Sequence, residues 1–355
     1  MAHDEHDRDA GTAGWDALNA ALAARYPGQE PKHFGTAMPW TLGGQDPLDG
    51  ISVYWNPAPR PHWHYITYGF SELYAKETDD PAESGFGFEL TFRLAAEAGA
   101  GPDDAPPTWP MSLLQNLARY VFKSGNGFEQ GHHLDANGPI ALDTDTALRH
   151  LAFIDDPQLP ALETANGRVR LLQVVGLTDD EMAAVKRWST TALLQLLAPA
   201  MPLWITDLQR GSLLADPERA AQAAAGTARD GSTTAMLFVD ALTWTRQGEA
   251  CELVLGAGKV ASLLELLPLR LGHGRTLTLL DREHAWHFEP GQVDAVEDDE
   301  AGSLRCTLSP ATLQALLQRV KPERGVYPLP GSPLRVRIEP TELRDAQGGV
   351  VRTIG

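Results

Sequence analysis

Cysteine is scarce in this sequence, with two residues in 355, Cys251 and Cys306. Two thiols so far apart provide neither a disulfide framework nor a zinc-ligand spacing. Both lie in strand-like stretches, Ala250-Cys251-Glu252-Leu253 and Leu304-Arg305-Cys306-Thr307, and are expected as buried free thiols. Long apolar runs are missing too: no stretch reaches the about 18 residues that a membrane-spanning helix needs. Met1-Ala2-His3-Asp4-Glu5-His6-Asp7 has neither the basic start nor the apolar core of a secretion signal, so the expected compartment, by elimination, is the cytoplasm. Basic charge is the third shortage: Lys and Arg number 29 against 47 Asp and Glu, a net charge of -18. Such a surface repels phosphate backbones and anionic headgroups, which argues against nucleic acid and membranes as partners and for a basic patch on another protein. The same acidity also serves solubility alone.

What remains is an ordinary globular composition, 43% hydrophobic and 21% charged, in a chain long enough for two cores. Residues 1–13 are polar and expected to be a disordered tail. Trp15, Leu18, Leu22 and Tyr26 then recur at helical spacing, and Pro27-Gly28 stops that helix. Strict alternation over 85–94 predicts a half-buried strand, with Phe86, Phe88, Leu90, Phe92 and Leu94 on its apolar face. Thr108 is placed to cap a helix with Pro110 in its first turn, a stripe of Met111, Leu114, Leu117, Ala118 and Val121, and a stop at Ser124-Gly125-Asn126-Gly127. Strands are expected over 169–175 and 203–208, and Thr178-Asp179-Asp180-Glu181 has capping-box spacing. From 216 to 234 the chain turns alanine-rich, then glycine-rich, and is expected to be a linker between a domain over 14–215 and a smaller one over 235–355. In the latter, short apolar runs predict strands, and Ser309-Pro310 opens a helix carrying Leu313, Leu316, Leu317 and Val320. The fold class is α+β, two-lobed, with mixed and antiparallel sheets flanked by helices.

Chemistry is hard to find. His62 and His64 would share one face of a strand and His132 and His133 adjoin, but sequence brings no third or fourth ligand to them as zinc would require. Gly85-Phe86-Gly87 lacks the third glycine of a dinucleotide loop and opens a strand, which makes it a bulge or close-packing device. The acid groups Asp79-Asp80, Asp155-Asp156 and Asp298-Asp299-Glu300 sit among turn-forming or polar residues and read as solvated carboxylates rather than acid–base pairs. No serine stands in a nucleophile elbow. An enzyme built on the four histidines stays as the alternative, a scaffold without a groove as another, and no cofactor is expected.

A set of segments, in order over about 14–211, resembles the Suppressor of fused family. They are Trp40-Thr41-Leu42-Gly43-Gly44-Gln45-Asp46-Pro47-Leu48-Asp49, His62-Trp63-His64-Tyr65-Ile66-Thr67-Tyr68-Gly69-Phe70-Ser71-Glu72-Leu73-Tyr74 and Ser84-Gly85-Phe86-Gly87-Phe88-Glu89-Leu90-Thr91-Phe92-Arg93-Leu94. Pro106-Pro107-Thr108-Trp109-Pro110, Leu117-Ala118-Arg119-Tyr120-Val121-Phe122, Asp156-Pro157-Gln158, Leu172-Gln173-Val174-Val175-Gly176 and Trp204-Ile205-Thr206-Asp207 complete them. Asp230-Gly231-Ser232 and Leu271-Gly272-His273-Gly274-Arg275 are weaker matches. Most of these residues are turn formers and large apolar groups, so the signature is largely architecture.

The resemblance implies a non-enzymatic protein that binds another protein, two lobes closing on a peptide added as a strand. It implies Tyr120, Phe128 and Asp155 as groove residues. His132, next to His133, stands where animal members carry an aspartate that recognises the Gli motif, so Gli-type binding is in doubt here. The second lobe lacks the long charged insertion of animal members. Compactness and the alanine and leucine content suggest a bacterial member, in which the implied role is an immunity protein and the suited partner a basic toxin domain.

Overall fold

The computed structural model describes residues 11–38, 40–142, 144–248, 250–300, 302–344 and 348–355. Contacts divide the chain into two units: one runs to Ala183 and takes in Thr190–Ala220, and the other holds Ala184–Ser189 and Ala221–Gly355.

In the first unit, helix α1 (Ala13–Arg25) buries Leu18 and Leu22, with Tyr26 just past its end, as their spacing predicted. Of the expected tail over 1–13, residues 1–10 lie outside the described residues, and Ala13 already belongs to α1. Strands β1 (Lys32–Gly35), β2 (Gly50–Asn56), β3 (His62–Tyr68) and β4 (Glu83–Ala95) follow. After them come helix α2 (Trp109–Ser124) and strands β5 (His133–Asp135), β6 (His150–Asp155), β7 (Leu162–Thr164) and β8 (Gly167–Leu177). The sheet order is β1-β2-β3-β4-β8-β6-β5, with β7 on β8. Among the described strands of this sheet, the central β4–β8 pair alone is parallel.

The strand predicted over 85–94 is β4, but it is not half-buried. One face packs Phe88, Leu90 and Phe92 against the Leu114, Leu117, Ala118 and Val121 stripe of α2. On the other face Glu89, Thr91 and Arg93 are also fully buried, because α1 and the segment around Leu159 cover that side. Phe86 escapes the alternation and is exposed. Pairing with β8 jumps from Glu83↔Arg168 to Phe88↔Arg170, a bulge carried by Gly85 and Gly87 at φ +58° and +78°. A Cβ on Gly85 would lie 2.6 Å from the Phe70 carbonyl oxygen, so the bulge requires glycine there.

Two local expectations fail. Thr108 makes no side-chain cap bond, although Pro110 and the left-handed Gly125 do bound α2. Residues 203–208 are not a strand: Pro202–Trp204 is a 3₁₀ turn, and Thr206 alone bridges Leu94. The Gln173 amide holds the turn by donating to the carbonyls of Leu203 (2.8 Å) and Trp204 (3.0 Å). Helices α3 (Asp179–Arg187) and α4 (Thr190–Leu197) and a 3₁₀ turn at Leu213–Ala215 complete the described regular structure before 216. The backbone N–H of Thr178 donates to Glu181, the carboxylate half of the predicted capping box.

The stretch read as a linker, 216–234, is mostly helix α5 (Pro217–Asp230). Its alanine run favours helix, since alanine is the strongest helix former. The second unit then builds β9 (Met236–Phe238), β10 (Leu242–Gln247), β11 (Ala250–Gly256), α6 (Val260–Leu271), β12 (Leu277–Leu280) and β13 (Ala285–Pro290). β14 (Ala295–Asp298), β15 (Ser303–Leu308), α7 (Pro310–Arg319), β16 (Gly325–Pro328), β17 (Leu334–Glu339), β18 (Thr341–Arg344) and β19 (Val350–Ile354) finish it. Sheets β10-β11-β17-β16 and β14-β15-β13-β12-β9 share a core with α6, and β18-β19 form a hairpin. Cys251 and Cys306 are free and buried in β11 and β15, as expected. Ala184–Ser189 belongs to this unit because Trp188 donates its indole N–H to Asp230 (2.9 Å) and a Cβ on Gly226 would meet its ring at 2.4 Å. The two weaker family-like segments also meet here: Arg270 and Arg275 both donate to the Ser232 carbonyl, at 2.9 and 3.1 Å.

Candidate functional site

The buried stripe of α2 fixes its rotation, which leaves Tyr120 on the flank of the helix, 45% exposed. Gly125 ends α2 at φ +73° and turns the chain back beneath that ring. Phe128 then enters an aromatic stack. Its ring lies 5.7 Å from Tyr120 at 24° and 4.1 Å from Phe153 of β6 at 11°, with Phe88 edge-on at 6.3 Å. Phe128 is 7% exposed and sits in the core cluster, so it is a support more than a free anchor.

His132 is exposed, its Nδ1 accepting the Glu129 N–H at 3.2 Å and its carbonyl accepting the Phe153 N–H at 3.0 Å. Asp155, at the end of β6, is exposed and ion-pairs with Arg170 of β8 at 2.7 Å. Arg170 lines a cavity of about 400 Å³ together with Phe86, Phe88, Gly127, Phe128 and Glu129. The four residues implied by resemblance therefore gather at one corner of the first unit: Tyr120 on Phe128, Phe128 and His132 on Phe153, and Asp155 on the cavity-lining Arg170. This corner also ends the sheet, since β5 pairs with β6 alone among the described residues.

Sequence reasoning missed a charged cluster on the opposite face of β4. Asp156 is not a solvated acid. Its carboxylate is fully buried, takes a forked pair from Arg93 (2.6 and 3.0 Å), and accepts from Thr91 (2.7 Å) and from the N–H groups of Gln158 (2.8 Å) and Leu159 (3.0 Å). Asp155, its neighbour, keeps the solvated character expected of both. His64 joins through Asp156 at 3.3 Å and through the Tyr26 hydroxyl at 2.7 Å. His62 is held to the Arg60 carbonyl at 2.8 Å. Burial drives His64 down to about 3 and His62 to about 4, so both are neutral imidazoles. Glu89, on the same face, collects the Thr67 hydroxyl (2.6 Å), the Ser71 hydroxyl (2.7 Å) and the N–H groups of Gly69 and Ser71 (both 2.9 Å). The one available signal was the alternation of Glu89, Thr91 and Arg93 with four large apolar residues; length and centrality of the strand were needed to read those positions as buried.

Each of these groups makes a hydrogen bond that ties neighbouring strands or turns together, although the Nε2 atoms of His62 and His64 and the Nε of Arg93 are buried without a hydrogen-bond partner. Among the described residues no three His, Cys, Asp or Glu side chains converge to hold a metal ion. His133 lies on β5, its Nδ1 3.3 Å from the Thr190 hydroxyl. No helix among the described residues is long and apolar enough to cross a membrane.

The segments quoted from the sequence are thus bonded to one another: Asp156 to Thr91 and Arg93, Gln173 to the turn at Trp204, and the Thr206 N–H to the Arg93 carbonyl at 2.8 Å. Residues 44–211 match the family Suppressor of fused protein (SUFU). The human and mouse Suppressor of fused homologs are each 38% identical over 238 residues, 62% of this chain and 48% of theirs. The chain thus spans about half the length of the curated relatives it matches. The crystal structure of Drosophila Suppressor of Fused superposes at a TM-score of 0.81 with 25% identity, covering 95% of this chain and 99% of that one. A chain of the Sufu–Fu complex crystal structure is 34% identical, with a TM-score of 0.56 over 59% of this chain and 96% of its own. A matched stretch whose residues bond to one another, and a relative covered almost end to end, lead to one assignment: this chain belongs to the Suppressor of fused family.

Proposed function

We propose that this chain is a non-enzymatic protein-binding module that captures a polypeptide on the corner formed by Tyr120, Phe128, His132 and Asp155. The observation that carries this is the Tyr120–Phe128–Phe153 stack, an exposed aromatic ring on a rigid aromatic base beside a cavity. Exposed aromatics on a pre-packed support lose little entropy when a partner covers them. The short edge strand β5 supports strand addition as the mode, with main-chain hydrogen bonds giving affinity and the cavity giving selectivity. In the second unit β9 is another edge strand, with Met236 and Phe238 exposed. The Sufu–Fu complex supports the same class of role.

Catalysis finds no support in the histidines named for it. His62 and His64 are buried in structural hydrogen bonds, and the His132 and His133 rings share their hydrogen bonds with backbone and a threonine. The charge of -18 favours a basic partner, and a basic toxin domain neutralised by a bacterial immunity protein has that chemistry. Two buried free thiols suit a reducing compartment such as the cytoplasm.

Affinity capture from the native host followed by mass spectrometry supplies the partner, and Tyr120→Ala tests the corner. The variant is expected to weaken binding by about 2 kcal/mol, roughly thirtyfold, with thermal unfolding unchanged because the ring is solvent-facing. Undiminished binding by Tyr120→Ala would overturn the assignment. Phe128→Ala is unsuited to this test, since emptying a core position costs about 3–5 kcal/mol of stability.

A further inference from the structure

A second cavity of about 400 Å³ opens in the first unit, beside the bulge of β4. Its walls include Trp40, Tyr74, Phe86 and Phe122, and the first three are exposed. Trp40 and Phe86 both lean on Phe122, with ring centroids 6.1 and 5.0 Å away. Three carboxylates, Asp49, Glu72 and Glu77, line the same space, and no Lys or Arg does.

The balance of charge there is unequal. Glu72 is satisfied: burial pushes its carboxyl up, but Lys76 and the N–H groups of Glu77 and Thr78 outweigh that and hold it at about 2. The Lys76 ammonium spends its three hydrogens on Glu72 (2.9 Å), the Thr78 hydroxyl (2.8 Å) and the Glu83 carbonyl (2.5 Å). Asp49 and Glu77 have no side-chain partner among the described residues. Asp49 is half-buried, and burial raises its carboxyl above the ordinary range. The backbones of two cavity-lining segments pack closely: at Gly69, φ +135°, a Cβ would lie 2.9 Å from the Asp49 nitrogen.

We infer that this cavity is a receptor for an arginine side chain of a protein partner. Aromatic faces attract a cation through their quadrupoles, and two unpaired carboxylates supply the opposite charge. A guanidinium fits better than an ammonium because it is planar, stacks on rings, is weakly hydrated and forks its donors onto carboxylates. An apolar side chain would leave Asp49 half-buried and uncompensated, and an acidic one would be repelled. The inference rests on the protein-binding role only in that the arginine comes from a polypeptide; it uses a different cavity from the one below Tyr120, with Phe86 as the shared wall.

The probe is the capped peptide Gly-Ser-Gly-Arg-Gly-Ser-Gly, with citrulline replacing arginine in its control, titrated into the full chain labelled with ¹⁵N. The arginine peptide is expected to shift the Trp40 indole resonance saturably, and the citrulline peptide, isosteric but uncharged, is expected not to. Asp49→Asn and Glu77→Gln, which preserve shape, are each expected to weaken the arginine peptide at least fivefold. Equal binding of arginine and citrulline peptides, or unchanged binding by both variants, would overturn the inference. If the peptide fails while the native partner is still captured through Tyr120, the arginine receptor falls and the protein-binding corner stands. If the peptide shifts Trp40 while Tyr120→Ala captures its partner normally, the receptor stands and the corner falls.

Discussion

At Asp156 one buried carboxylate joins β3, β4 and the turn after β6 through Arg93, His64, Thr91 and two backbone N–H groups. The consequence is a definite pH dependence. His62 and His64 have folded values near 4 and 3, below the ordinary imidazole range, so between about pH 6.5 and 4.5 the unfolded chain binds protons there that the folded chain refuses. Each such histidine removes up to about 1.4 kcal/mol of stability per pH unit as pH falls. Glu89 opposes them: burial raises it to about 7 against its hydrogen bonds, so the folded chain binds a proton there first, and that contribution is lost as pH rises. Asp156 is held below the ordinary carboxylate range; although burial raises it, the His64 and Arg93 interactions prevail, and its contribution is lost only at lower pH still. Two histidines outweigh one glutamate. Urea unfolding is expected to give lower stability at pH 4.5 than at 6.5, and the His62→Gln, His64→Gln double variant is expected to abolish or reverse the slope. A slope unchanged by that variant would place its origin elsewhere.

Among the elements, the start of α7 and the start of α2 make a controlled comparison. Each has a hydroxyl residue before a proline-containing first turn. The Ser309 hydroxyl accepts the Thr312 N–H at 3.3 Å, and Asp294 reinforces the turn by accepting the Ser309 N–H at 2.6 Å. The Thr108 hydroxyl caps nothing. Ser309→Ala is expected to cost about 1 kcal/mol and Thr108→Ala less than about 0.5 kcal/mol, measured as shifts in denaturant midpoint at constant m-value. Equal costs would show that the Ser309 cap bond adds no stability beyond what the uncapped start of α2 has. The motif was legible at both; whether the hydroxyl reaches its N–H depends on backbone approach, Ser309 being extended and Thr108 already helical. The bulge of β4 was legible for a related reason: two glycines around Phe86 have few other uses in a strand.

For the whole molecule the dominant long-range quantity is the excess of 47 acidic over 29 basic residues. Such a surface repels itself and attracts basic partners, and salt weakens both effects. Raising ionic strength from roughly 0.01 M to 0.1 M shortens the screening length from about 30 to about 10 Å. Over that range the unfolding temperature is expected to rise, and the association rate with a basic partner to fall. Scanning fluorimetry and stopped-flow mixing measure the two. An unfolding temperature that falls with salt would mean that local ion pairs such as Arg93–Asp156 and Arg210–Glu181 outweigh the net repulsion.

Sequence by itself determined the α+β class, the α1 and α2 stripes, the Ser309 helix start, the β4 bulge and the family signature, because each is written in neighbours within a few positions. It also carried Tyr120, Phe128, His132 and Asp155 as a set, through resemblance and not through spacing. Only the tertiary structure decided that Asp156 is buried while Asp155 is not, since the Arg93 that compensates it lies 63 positions away. It likewise decided that Pro217–Asp230 is helix, that Phe128 supports the core, and that Asp49 and Glu77 share a cavity with Trp40 and Phe86. Burial and charge compensation depend on what the rest of the chain brings alongside, and no local window contains that.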